Sequence, residues 1–169
     1  MLPEDERYFL AECYAEDLQK TEEVFPRIQR YSLFITAMSM IEGSIVILCR
    51  GAKQIFNLND ELNTKKSNVI NRGIKYLEEK LGISTNEYKD YIDFVDSLRK
   101  IRNCIVHSEG RVSERNDESA IRCFVSTIPT LEIDKFDRIL ILEGFIDSST
   151  HTANLLIQRL FDSVRSKAK

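Results

Sequence analysis

The chain contains two histidines, His107 and His151. Imidazole is the side chain best suited to moving protons near neutral pH, which makes both candidate acids or bases. His151 lies in SSTHTAN, early in a helical pattern, and reads as a solvated position. His107 closes the stretch RKIRNCIVHSEG and has company. Asn103 stands four residues before it and Arg99 four before that, so one helix face carries a guanidinium, an amide and an imidazole. Arg102 falls on the neighbouring line with Leu98 and Ile105, at the edge of the apolar face. A guanidinium there needs a partner, because a buried unpaired charge is costly. Glu42, inside an apolar stretch, has the mirror-image need, and an Arg102–Glu42 pair would satisfy both. Spacing alone leaves two readings open. In one, Arg102 and Glu42 form an internal ion pair, Asn103 is a surface amide and His107 is a cation favoured by a helix C-terminus. In the other, the same residues form a site.

The elements that must position them follow from periodicity. Residues 4–23 predict an amphipathic first helix, with Phe9, Cys13 and Leu18, stopped before Pro26. Residues 27–50 predict the clearest helix. Tyr31, Phe34, Met38, Ile41, Ile45 and Leu48 recur at three- and four-residue steps, with Ile35, Val46 and Cys49 on a second apolar line. A helix apolar on most sides belongs at the centre of a bundle, and Gly51 is a natural stop. A polar loop is expected over 52–66. A shorter helix, capped by Ser67 or Asn68, should then run through Leu81 to a stop at Gly82. Residues 86–107 predict another strong helix, on Tyr91, Phe94, Leu98, Ile101 and Ile105, followed by an exposed loop over 108–118. The period then changes. Cys123–Ile133 and Arg138–Leu142 are rich in β-branched and aromatic residues, and Asp134–Asp137 can turn between them, predicting a hairpin over about 121–142. A last helix is expected from Gly144 to Val164, with Ala153, Leu156, Leu160 and Val164 inward and a frayed basic tail, RSKAK. The expected fold is all-α: one domain of about five helices with a small β-hairpin before the last.

Composition agrees with a single packed domain. The chain has 169 residues, 43% hydrophobic and 30% charged, with a formal net charge of −3. That balance gives no global attraction to a polyanion, so any such binding needs a local patch. The four cysteines, Cys13, Cys49, Cys104 and Cys123, form no CxxC pair and no zinc spacing. Leu33–Cys49 is nearly all apolar, but it is shorter than the roughly 20 residues of a spanning helix and has Glu42 at its centre. A buried core helix in a cytoplasmic protein, away from membranes, is the expectation. No Gly-rich phosphate loop, GxSxG elbow or HExxH is present, and no cofactor or metal is implied.

Arg102-Asn103-x-x-x-His107 matches the R-x(4–6)-H motif of the HEPN superfamily, in its RN-x-x-x-H form. The surroundings are also similar. A long apolar helix with an internal Glu (MIEGSI) precedes the motif, and a loop, a hairpin (PTLEIDKFDRILIL) and an amphipathic helix follow it. The resemblance covers most of residues 27–165 and leaves residues 1–26 as an extra N-terminal helix. It implies a helical bundle, and in many members a metal-independent endoribonuclease. In these the 2′-hydroxyl of RNA attacks the adjacent phosphate, giving 2′,3′-cyclic phosphate and 5′-hydroxyl ends. His107 resembles the family's catalytic histidine, Arg102 its arginine, Asn103 the polar residue beside it, and Glu42 the acidic residue of the earlier helix.

That reaction needs a base for the 2′-OH, an acid for the leaving oxygen and positive charge on the phosphate. Imidazole serves either proton transfer, and guanidinium grips phosphate oxygens in a fork. One chain supplies one motif histidine, so a two-fold homodimer with a composite site is expected. Arg99, Lys100 and Arg111 beside the motif are candidate RNA contacts, with Lys65, Lys66 and Arg72 a second basic stretch. Stand-alone relatives of this kind often act as toxins or anti-phage effectors, alone or beside an antitoxin. Others are non-catalytic dimerisation or nucleotide-binding modules, the alternative reading.

Overall fold

A computed structural model of the chain describes residues 4–64 and 68–168. Lys65, Lys66 and Ser67 therefore lie outside the described residues, as do Met1–Pro3 and Lys169. Helix α1 (Glu4–Gln19) passes through a π-helical turn (Lys20–Val24) directly into α2 (Phe25–Ile55). There follow α3 (Val69–Leu81), α4 (Lys89–Ser108), α5 (Glu118–Thr127), strands β1 (Leu131–Ile133) and β2 (Ile139–Ile141), and α6 (Phe145–Lys167). The protein is an all-α bundle with one antiparallel hairpin before the last helix. With α1 and α2 taken as one rod, five helical rods are described.

Helix α2 organises the bundle. Its Tyr31, Phe34, Met38, Ile41, Ile45 and Leu48 are all buried, against α3 on one side and α6 on the other. Phe34 meets Phe145 of α6 with ring centroids 5.4 Å apart. Helix α3 crosses close because Gly73 has no side chain. A Cβ there would overlap Ile45, and Cys49 Sγ donates to the Gly73 carbonyl at 3.5 Å. The α4 core face is Val95, Leu98, Ile101, Cys104 and Ile105; spacing predicts Leu98, Ile101 and Ile105, while Tyr91 and Phe94 of the same pattern are only half-buried. Asn68 caps α3, its side chain accepting from the Asn71 amide, and Gly82 ends it at φ +61°. Cys49 and Cys104 are buried free thiols, and burial pushes them up to about 12 and about 11.

Four expectations are corrected. Pro26 does not stop the first helix. It sits at the start of α2, where its missing N–H costs little, and the π turn absorbs the irregularity. Gly51 does not stop α2, which continues to Ile55. Nor is α2 enclosed on most sides: Leu33, Met40 and Ile47 are exposed, the last two by 69% and 70%. By length and composition the continuous helix over residues 6–55 is apolar enough to cross a membrane, and 33% of its most apolar window is buried in the bundle. Finally, the hairpin is shorter than expected. Residues 118–127 form α5, whose Ile121 and Val125 lie one turn apart against the core, while Phe124 meets Phe94 edge-on at 5.6 Å. Packing on α4 overrides the β propensity of this stretch.

The segment after α4 is not a free loop. Ser108, Gly110 and Val112 are buried. Gly110 accepts from Ile139 N at 3.0 Å, Val112 N donates to Asp137 O at 2.9 Å, and Arg111 bridges Arg138 as an extension of the hairpin. The Tyr31 hydroxyl donates to the Ile139 carbonyl at 2.5 Å, fastening α2 to the same junction.

Candidate functional site

The motif occupies the last two turns of α4. Arg102 and Asn103 are half-buried on its flank, and His107 is exposed in the final turn. Below His107 the chain reverses through Glu109 (φ +51°) and Gly110 (φ +84°), with Gly110 N bonding back to Cys104 O at 3.1 Å. The histidine is thus presented at a rigid corner, with the hairpin tied beneath it.

Arg102 Nη1 donates to Asn103 Oδ1 at 3.0 Å. Its Nε is buried and has no hydrogen-bond partner. The expected Arg102–Glu42 pair is not formed: Glu42 is half-buried on α2 and makes no ion pair with Arg102. The amide of Asn103, next in sequence, takes that place. It orients the guanidinium without neutralising it, since an amide oxygen is a neutral acceptor.

The neighbouring cations are all neutralised. Asp96 takes Arg99 at 2.9 Å and Lys100 at 3.2 Å, and also accepts from Asn71 Nδ2 at 3.2 Å. Burial pushes the Asp96 carboxyl up, but the hydrogen bonds and charges of Arg99 and Lys100 prevail and hold it below 3.8. Arg111 pairs with Glu114 at 3.0 Å, Arg115 with Asp117 at 3.2 Å, and Arg122 with Glu118 and Asp137 at 2.8 and 2.5 Å. Of the six Lys and Arg residues between 99 and 122, Arg102 is the one with no carboxylate within ion-pair distance among the described residues. The expected RNA contacts Arg99, Lys100 and Arg111 are therefore already engaged. Arg72 lies half-buried on α3. His151 is exposed on α6, as its context predicted.

A cavity of about 520 Å³ opens elsewhere, between the start of α2 and the hairpin turn. Arg27, Arg30, Lys135, Phe136 and Arg138 line it together with Glu22, Glu23 and Asp134. Sequence reading missed it, treating residues 134–137 only as a turn. The signal was an aromatic between cations, Lys135-Phe136-Asp137-Arg138. A second, mostly apolar groove of about 340 Å³ lies between α2 and α6, against Ile47, Ile55 and Phe161. Arg102, Asn103 and His107 line neither. No group of three or more His, Cys, Asp or Glu residues placed to hold a metal is found among the described residues.

Compared with known proteins, the chain matches no family model, no curated protein and no solved structure.

Proposed function

We propose that this chain is an endoribonuclease of HEPN type, acting as a homodimer on RNA without a metal. The observation that carries the reading is the uncompensated guanidinium of Arg102, held by Asn103 one turn from the exposed His107. A structural arginine at the edge of a core is normally paired with a carboxylate; one oriented by a neutral amide and left charged is suited to an incoming anion.

In this reading Arg102 grips the scissile phosphate, its free donors meeting non-bridging oxygens. One imidazole takes the 2′-hydroxyl proton as that oxygen bonds to phosphorus. A second imidazole, protonated beforehand, gives its proton to the departing 5′-oxygen as the P–O5′ bond breaks. The products are a 2′,3′-cyclic phosphate and a 5′-hydroxyl. Each chain offers one motif histidine, so the second comes from a symmetry-related copy. Asn103 is a positioning residue, acting through Arg102.

The test is cleavage of total RNA and tRNA in EDTA by the wild type and His107→Ala, with product ends mapped. Cleavage by the wild type alone, leaving cyclic phosphate ends, supports the reading. Equal cleavage by both, or none by either, overturns it, and the second result favours a non-catalytic dimerisation or nucleotide-binding module.

A further inference from the structure

The cavity between the start of α2 and the hairpin turn is distinct from the motif and is built from groups that suit one class of ligand. Arg27 and Arg30 stand three residues apart on the first turns of α2, on one face. Among the described residues neither has a carboxylate within ion-pair distance, and the same holds for Lys135 and Arg138 across the cavity. Arg138 Nε is buried with no hydrogen-bond partner. Arg27, Arg138 and Asp134 all lie close enough to act electrostatically on the Tyr31 hydroxyl, so these charges converge at one place. Three carboxylates border the cavity. Asp134 is spent within the turn, accepting from Phe136 N and Arg138 N, each at 2.8 Å. Glu22 and Glu23 line it from the π turn.

Phe136 is 57% exposed although it belongs to a well-held turn. The Asp134 carboxylate fixes one side. Asp137 fixes the other, accepting from Ser113 N at 2.7 Å and from Arg122 at 2.5 Å. Lys135 Nζ lies 5.0 Å and Arg138 Cζ 6.0 Å from the ring centroid. A rigidly presented aromatic ring among unpaired cations matches a nucleotide: a base for the ring, phosphate for the cations. The Arg111–Arg138 bridge joins this turn to the segment that follows His107 by four residues.

We propose that this cavity is a binding subsite for single-stranded RNA, with a base stacked on Phe136 and flanking phosphates held by Arg27, Arg30 and Arg138. It rests on the nuclease reading only for the identity of the ligand. A strand lying here would reach the motif along the Arg111 segment, so the cavity would bind nucleotides beside the cleaved bond rather than the bond itself.

The test uses the full-length chain carrying His107→Ala, so that the probe survives, and a short fluorescein-labelled oligouridylate read by anisotropy. Phe136→Ala should weaken binding about five- to hundredfold, the range seen when a base is deprived of its stacking partner. Arg27→Ala with Arg30→Ala should weaken it and flatten the salt dependence by about 0.7 in log–log slope for each phosphate no longer gripped. Lys75→Ala, on α3 away from the cavity, should leave binding unchanged. All these positions are partly or wholly exposed, and circular dichroism checks that each variant folds. Undiminished binding by the cavity variants overturns the subsite, and so does absence of binding at low salt. The nuclease reading is judged separately by product ends. His107-dependent cleavage with full binding by Phe136→Ala sinks the subsite alone; Phe136-dependent binding with no cleavage sinks the nuclease alone.

Discussion

The hydroxyl of Tyr31 occupies the space a side chain at Gly110 would need. A Cβ at position 110 would overlap it, and the backbone there is at φ +84°. This contact joins the central helix to the corner just below His107. Gly110→Ala should cost about 2–4 kcal/mol, combining left-handed strain with overpacking. Tyr31→Phe should cost about 1–3 kcal/mol, because it leaves the buried Ile139 carbonyl unpaired. If the two positions compete for one space, the double variant loses less than the sum, which chemical denaturation of all three would read.

Tyr31 also sets an alkaline limit. Burial pushes its hydroxyl up from 10.0 to about 12. The folded state therefore favours the neutral phenol. The stability this gives is present in full below pH 10.0 and is lost as pH rises toward about 12. Tyr31→Phe should flatten that alkaline loss in a denaturation series.

Asp96 sets an acid limit of the opposite sign. Its folded value is held below 3.8, so its contribution is present above 3.8 and disappears as pH falls through the lower folded value. Asp96→Asn should lose stability at neutral pH and show a shallower acid transition. It also releases Arg99 and Lys100. Unchanged acid sensitivity would show that the Asp96 cluster contributes little to the fold.

For the motif, His107→Ala should reduce cleavage by about 10²–10⁴-fold with an unchanged Tm, since the side chain is exposed. Arg102→Lys should not restore activity, because an ammonium does not reproduce the fork. Asn103→Ala should weaken cleavage less than Arg102→Ala and should leave the pH profile in place, as expected of a residue acting through its neighbour. A Tm loss in His107→Ala equal to its activity loss would contradict this assignment.

The open side of α2 is a candidate face for the proposed self-association, and it contains none of Arg102, Asn103 and His107. Leu33, Met40 and Ile47 repeat every seven residues on the open side of α2, and Ala37, Ser44 and Gly51 alternate with them. Large and small side chains in alternation allow a second copy to interlock. With Ile55 and Phe161, which are 59% and 55% exposed, these residues form one exposed apolar strip; a standard interface buries about 800 Å² per partner. Light scattering should give about twice 19.6 kDa for the wild type and the single mass for Ile47→Glu. A monomeric wild type would contradict the proposed two-imidazole reaction, which needs a second copy.

The core was legible in the sequence because period alone decides it. The three- and four-residue spacing selects inward residues of α2 and α6 that are all buried, and Leu98, Ile101 and Ile105 of α4, while Tyr91 and Phe94 of the same pattern are only half-buried. Residues 118–127 were not legible, because their β-branched and aromatic content suits a strand until Ile121, Phe124 and Val125 find α4. The spacing of Arg102, Asn103 and His107 could be read from the chain, but the partner of Arg102 could not. An Arg–Glu pair and an Arg–Asn contact look alike until the distance from α2 to α4 is known. The cavity around Phe136 joins residues more than a hundred positions apart, and no local pattern carries that.

The five-residue π turn between α1 and α2 has a consequence for alignment. An ordinary α-helix brings a residue back to one side every seven positions, so Leu18 would share a side with Phe25 and Ser32. The one-residue insertion of a π turn advances the frame, and Leu18 falls in line with Leu33, Met40 and Ile47 instead. All four are exposed. The turn thus acts as a phase correction, giving two helices of different composition one shared seam of about 45 Å from Leu18 to Ile47.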